Sequence, residues 1–134
     1  MKVRWADDSL RFRITPSELT ALVIGEPLTT TLSVPGGARW SVVVRPKAPC
    51  SELRSDDGAV EVCLTPDDLW CLVDDNAEGV YFTTGGDGPI RYFIEKDFPC
   101  AHPHAEEACE PETERFAPTE RYLRRKHLAA AHRP

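Results

Sequence analysis

The stretch "EKDFPCAHPHAEEACE", residues 95 to 110, gathers Cys100, His102, His104 and Cys109 into one short span among several glutamates. Thiolate and imidazole are the donors that a tetrahedral zinc site uses, and copper or iron would compete for the same set. Pro99 and Pro103 disfavour helix here, and an extended chain sends alternate residues to one side. Cys100, His102 and His104 are then aimed at a common centre, with Cys109 placed to close a four-ligand shell. Structural zinc sites, however, draw their ligands as separated pairs that tie two elements together. Ligands confined to residues 100 to 109 tie only their own loop. Two other readings therefore stand beside the metal site: a reversible Cys100–Cys109 disulfide, and a solvated polar linker.

The preceding "EKDF" alternates in charge, with Glu95 and Asp97 expected on one side of a strand and Lys96 and Phe98 on the other. As plain surface charges these residues would protect an edge strand from aggregation. As a functional feature, Glu95 and Asp97 would sit at a barrel mouth near Asp7, Asp8 or Arg11 and form a polar pocket for a small enzyme. No nucleophile–base pair or phosphate-binding glycine loop is recognisable elsewhere. "GGDG" (85 to 88) is short and lies between two strand-like runs, so it reads as a hairpin turn.

The elements that must position these residues are mostly strands. "LRFRIT", "TTTLSV", "RWSVVVR", "VEVCLT", "VYFTT" and "IRYFIE" are rich in β-branched and aromatic residues and bounded by Gly, Pro and Asp. "TPSELTALV" and "TPDDLWCLV" each open with a Thr cap, a Pro at the first helical position and an acid at the third, the pattern of a capping box. A shift of fifty positions without a gap superposes Asp7 on Asp57, Ile14 on Leu64, Thr15 on Thr65, Pro16 on Pro66, Leu19 on Leu69, Leu22 on Leu72, Val23 on Val73 and Gly36 on Gly86.

The expected fold is therefore β-rich α+β: duplicated ββαββ units forming one barrel or sandwich with two short helices, plus a C-terminal tail able to form one more. The units occupy about 1–50 and 51–98 of a domain spanning 1–98. The remainder, 99–134, is a polar tail with the Cys/His cluster and a short helix. That tail would dock on its own body or on a partner through Phe116, Tyr122 and Leu123. The expected core comprises Phe12, Ile14, Leu19, Leu22, Leu32, Trp40, Val42, Val44, Val62, Leu64, Leu69, Leu72, Phe82 and Phe93. Cys63 and Cys71 are expected to act as small hydrophobes.

The opening "MKVRWADDSLRFRITPSELTAL" and the later "FIEKDF" with its following Cys resemble a family of small uncharacterised bacterial proteins. Its members begin M-K-I-R-x-x-x-x-S-L-R-L-R-L-T-x-S-E-V and carry I-E-K-D-F-x-C near the end. The resemblance covers residues 1 to about 22 and 94 to 100 and implies no assigned activity. His102, His104 and Cys109 stand outside that pattern.

The five cysteines are odd in number, which argues against a disulfide framework. The net charge of −6 falls on the body, since residues 1–97 hold ten Lys/Arg against sixteen Asp/Glu and residues 98–134 hold six of each. An acidic body argues against a nucleic-acid partner. Charges run through the amino-terminal segment, and no run approaches the ~18 apolar residues of a membrane span. The expectation is a cytoplasmic, non-catalytic binding or accessory protein that meets a protein partner through a sheet edge or the tail, with no membrane and no cofactor unless zinc. The rivals are a metalloprotein using Cys100, His102, His104 and Cys109, and a small enzyme using Glu95 and Asp97. Metal analysis of untagged protein separates the first two: the metalloprotein requires stoichiometric zinc that disappears in Cys100→Ser and His104→Ala, and the accessory protein is expected to carry none.

Overall fold

The computed structural model describes residues 1–99 and 114–131. Eight strands and three helices follow in the order β1 (Lys2–Ala6), β2 (Ser9–Ile14), α1 (Pro16–Ile24), β3 (Leu28–Ser33), β4 (Arg39–Arg45), β5 (Glu52–Asp56), β6 (Ala59–Cys63), α2 (Pro66–Val73), β7 (Gly79–Thr83), β8 (Arg91–Lys96) and α3 (Glu120–Ala131). No helix among the described residues is long and apolar enough to cross a membrane.

Both short helices start where the cap chemistry requires. The Glu18 amide donates to Thr15 Oγ1 (3.3 Å) while the Thr15 amide donates to Glu18 Oε2 (2.9 Å). Thr65 and Asp68 reproduce this exchange at 3.2 and 2.8 Å. Each box satisfies donors that a helix start leaves orphaned. Both caps also receive a ligand from a strand start: the Met1 ammonium pairs with Glu18, and the Ser51 hydroxyl donates to Asp68.

The strands form two four-stranded sheets, ordered β1-β2-β8-β7 and β3-β4-β6-β5. This corrects the barrel alternative, since the described strands close no cylinder. Each sheet takes two strands from residues 1–50 and two from the rest, joined at the centre by a parallel pair, β2 with β8 and β4 with β6. Pairings recur across the halves: Lys2↔Arg13 becomes Glu52↔Cys63, and Ser9↔Arg91 becomes Ala59↔Ser41 with the order of the halves exchanged. The gapless offset fails in one place. Leu28↔Val44 corresponds to Val80↔Ile94, so β7 lies two positions further on than the shift expects and Gly36 is not the counterpart of Gly86.

The core lies between the sheets and under the helices. Leu10, Phe12 and Ile14 of β2 meet Val44, Val62, Leu64, Tyr92 and Ile94, with Leu19, Leu22, Leu69 and Leu72 closing one end. Four expectations about burial change. Leu32 and Trp40 are 64% and 59% exposed, because this facing pair lies beyond Ser41↔Ala59, where the neighbouring strand has ended. Phe93 lies in the outward phase of β8, and Tyr92 and Ile94 take the core. Cys71 is exposed, being off the Leu69–Leu72 stripe, whereas Cys63 is buried. Lys96 is 5% exposed, because β8 is an inner strand and its alternation carries Lys96 inward with Ile94.

Loss of either cap oxygen leaves a helix-start donor unsatisfied. Thr15→Ala and Thr65→Ala are each expected to lower the unfolding free energy by about 1 kcal/mol in urea titrations, with unchanged m-values.

Candidate functional site

Because Leu10, Phe12 and Ile14 point inward, Ser9, Arg11 and Arg13 point out from the first sheet. Their cross-strand neighbours share that face. One row runs across all four strands, with Arg4 opposite Arg11, Arg11 beside Phe93, and Phe93 opposite Tyr81. The next row is Lys2, Arg13, Glu95 and Gly79. Gly79 is required there, since a Cβ would approach Ile94 O to 2.5 Å.

Two like-charge pairs, Arg4↔Arg11 and Lys2↔Arg13, thus stand directly opposite each other, an arrangement that destabilises a sheet. Glu95 and Asp97 lie beside them. Glu95 Oε2 is 3.4 Å from Arg11 Nε and 3.9 Å from Arg13 Nε, so one carboxylate serves two guanidiniums. Lys2 Nζ lies 3.3 Å from Asp97 Oδ2, and Arg4 has no ion-pair partner among the described residues. Arg11 stacks 5.6 Å from the Phe93 ring centroid, and Phe93 meets Tyr81 at 5.5 Å. Burial, with Glu95 next in weight, raises the Tyr81 phenol, which therefore remains protonated.

Helix α3 forms the opposite wall. A cleft of about 280 Å³ opens between it and the sheet, with Arg11, Arg13 and Glu95 on one side and Tyr122, Arg125 and Lys126 on the other. Arg125 is held by Glu78 at 2.5 Å. Arg11 Nε and Glu78 Oε1 are buried with no hydrogen bond among the described residues. A second recess of about 110 Å³, lined by Lys2, Val3, Arg4, Arg11 and Arg13, adjoins the first.

"EKDF" acts largely as the seat of the tail. The Lys96 ammonium donates to the Asp74 carbonyl (2.6 Å) and lies 5.4 Å from the Phe116 ring, and its burial lowers its pKa. The Asp97 amide donates to Ile14 O, and Asp97 O accepts from the Phe116 amide. Phe98 packs on Tyr122 at 4.6 Å, and the Tyr122 hydroxyl donates to Pro99 O. Phe116 and Tyr122 therefore contact their own chain, while Leu123 is 40% exposed. Glu95 does meet Arg11. Asp8 does not join it, being paired with Arg91 at 3.0 Å. Cys100, His102, His104 and Cys109 lie outside the described residues.

The second sheet presents the same positions with different chemistry. Its row is Arg54, Glu61, Val43 and Thr29, with Glu61 where the first sheet has Arg11. Glu61 accepts from Arg45 (2.7 Å) and Arg54 (2.8 Å), and these hydrogen bonds, Arg45's first, hold its carboxyl below the usual range. Beside them the Cys63 thiol is raised by burial and is a packing group, not a nucleophile. Sequence reasoning named Arg11 and Glu95 but missed Arg4, Arg13, Phe93 and Tyr81. The legible signal was the outward phase of "KVRWA" and "LRFRI", which puts four cations on one face of an otherwise acidic body.

The fold and this face define a two-sheet α+β protein with one cationic, aromatic-bearing sheet surface beside a neutralised one. The chain belongs to the DUF7009 family, a family of unknown function whose profile matches residues 1–115. No curated protein and no solved structure matches it.

A carboxylate whose folded pKa is depressed stabilises the fold above its unfolded pKa, roughly 4.3, and that contribution is lost as pH falls through the folded value. Glu61→Gln is therefore expected to melt below the parent protein at pH 7. The difference should close as the pH is lowered beneath the ordinary glutamate range, as read by thermal melts across pH.

Proposed function

We propose that this protein is a non-catalytic accessory module that binds an anionic ligand on the outer face of the first sheet, in the recess lined by Arg4, Arg11 and Arg13 that adjoins the cleft beneath α3. The observation that carries this reading is the facing pair Arg4↔Arg11. A sheet that keeps Arg4 opposite Arg11 forgoes stability that a carboxylate at one of the two positions would restore, as Glu61 does opposite Arg54 on the other sheet. An arriving anion supplies the missing charge, and guanidinium forks match a planar or tetrahedral oxyanion through paired hydrogen bonds.

Phe116 and Tyr122 are engaged on their own body, so recognition in this reading falls to the sheet face and not to the tail. The small-enzyme alternative, built on Glu95 and Asp97, requires a carboxylate free to move a proton, whereas Glu95 is shared by Arg11 and Arg13, and Asp97 is buried beside the Lys2 ammonium. The zinc alternative at Cys100, His102, His104 and Cys109 is independent of this face and is decided by the metal analysis above. We further infer that the halves are copies of one ββαββ unit, a reading supported by the recurrence of the β1–β2 register in β5–β6.

Arg4→Glu separates a ligand-binding role from a structural one. It places a carboxylate opposite Arg11, so the variant is expected to be more stable than the parent by roughly 0.2–1 kcal/mol. Its affinity for pyrophosphate, measured by calorimetry at low salt, should fall at least tenfold, in line with the ~1.5–3 kcal/mol of a charge-assisted hydrogen bond. A stabilised variant with undiminished affinity, or a parent protein that takes up no pyrophosphate, would remove the reading.

A further inference from the structure

The cationic face carries more than charge. The row that begins with Arg4 and Arg11 ends with Phe93 and Tyr81, so two guanidiniums and two aromatic rings lie in line across the sheet. Tyr81 is 55% exposed, although a tyrosine on a sheet face commonly hides its ring against neighbours. Adjacent strands are about 4.8 Å apart, which sets the centre of the arginine pair roughly 10 Å from the centre of the ring pair. That is the reach of a nucleotide from its terminal phosphate to its base. The corresponding row of the second sheet, Arg54, Glu61, Val43 and Thr29, has neither a facing pair of cations nor any ring. A facing cationic pair and aromatic rings thus occur together in one row and are absent together from its counterpart.

Resting on the anion-binding reading, we propose that the ligand is a nucleoside phosphate. Its terminal phosphate occupies the recess of about 110 Å³ lined by Arg4, Arg11 and Arg13, and its base lies on Tyr81 and Phe93. Phosphate suits the recess because guanidiniums pair with it through forked hydrogen bonds and because Glu95 leaves the local charge in cationic excess. A flat heteroaromatic ring suits the exposed tyrosine because stacking on an aromatic side chain is sequence-tolerant and needs only a π-face. The single ring pair seats one base, and the chain's net charge of −6 repels a long polyanion. A free nucleotide is therefore the source favoured over a strand.

The test compares three probes on the full chain: pyrophosphate, ADP and an eight-residue oligothymidylate, titrated calorimetrically at low salt. ADP is expected to bind at least tenfold more tightly than pyrophosphate. Tyr81→Leu should bring ADP down to the pyrophosphate level without changing pyrophosphate itself, and Tyr81→Phe should restore it. Oligothymidylate weaker than ADP assigns the site to a free nucleotide, and oligothymidylate that is tighter and equally dependent on Tyr81 assigns the same contacts to a strand. Equal affinities for ADP and pyrophosphate would overturn the nucleoside assignment while leaving an anion site, and no binding of either would overturn both. Because Tyr81 is largely exposed, thermal melts should show both variants folded, so a loss of affinity in them reports the contact.

Discussion

Parallel pairing between β2 and β8, and between β4 and β6, is the constraint on which the molecule rests. Residues 1–50 supply two antiparallel hairpins, but the helix between them sends the hairpins to different sheets. Taken alone, each hairpin would expose one strand as an unpaired edge and one apolar face to water, and a two-stranded ribbon is marginal by itself. The later half offers the same arrangement, and each exposed strand finds its partner there. The buried residues of β2, β4, β6 and β8 consequently form one interior.

Once the backbone is fixed in this way, the outer faces are free to differ, and they differ mainly in electrostatics. On the second sheet Glu61 collects Arg45 and Arg54 by short hydrogen bonds, and Glu52, 3.3 Å from Arg54, supplies the second negative charge that leaves the face locally neutral. On the first sheet the corresponding position is itself an arginine, and the nearby carboxylate stands off at 3.4 Å and 3.9 Å from two cations. The first arrangement is a staple and the second keeps cationic capacity. Inside, the Lys96 ammonium has been drawn out of water, with a carbonyl and an aromatic ring as its compensation. Desolvation of that kind is tolerated where the charge is hydrogen-bonded, and here it also fixes Phe116 and the approach to α3.

Much of this was legible from residue order. The Thr-Pro starts of α1 and α2 carry their own chemistry, so the capping boxes and the helix starts lie where the sequence puts them. Alternation in "LRFRI" set the inward face of β2 correctly because its apolar and basic residues are cleanly out of phase. "RYFIEK" was not readable in this way, since both phases contain an aromatic residue and the inward phase ends in a lysine whose compensating groups come from distant parts of the chain. Leu32 and Trp40 had the right phase for burial, but nothing local records that the neighbouring strand stops first. The cations of β1 and β2 were legible in their outward phases, but the full row was not: a parallel pairing across the halves sets Arg4 and Arg11 beside Phe93 and Tyr81.

That one covalent chain supplies both sheets has a further consequence. In an assembly of two identical subunits any change of residue appears twice, once on each side of the axis, so a surface cannot be altered without altering its twin. Here Arg11 and Glu61 occupy corresponding sites but are written by separate codons. One side is therefore at liberty to keep the fold intact while the other varies its chemistry, a division of labour that exact symmetry would forbid.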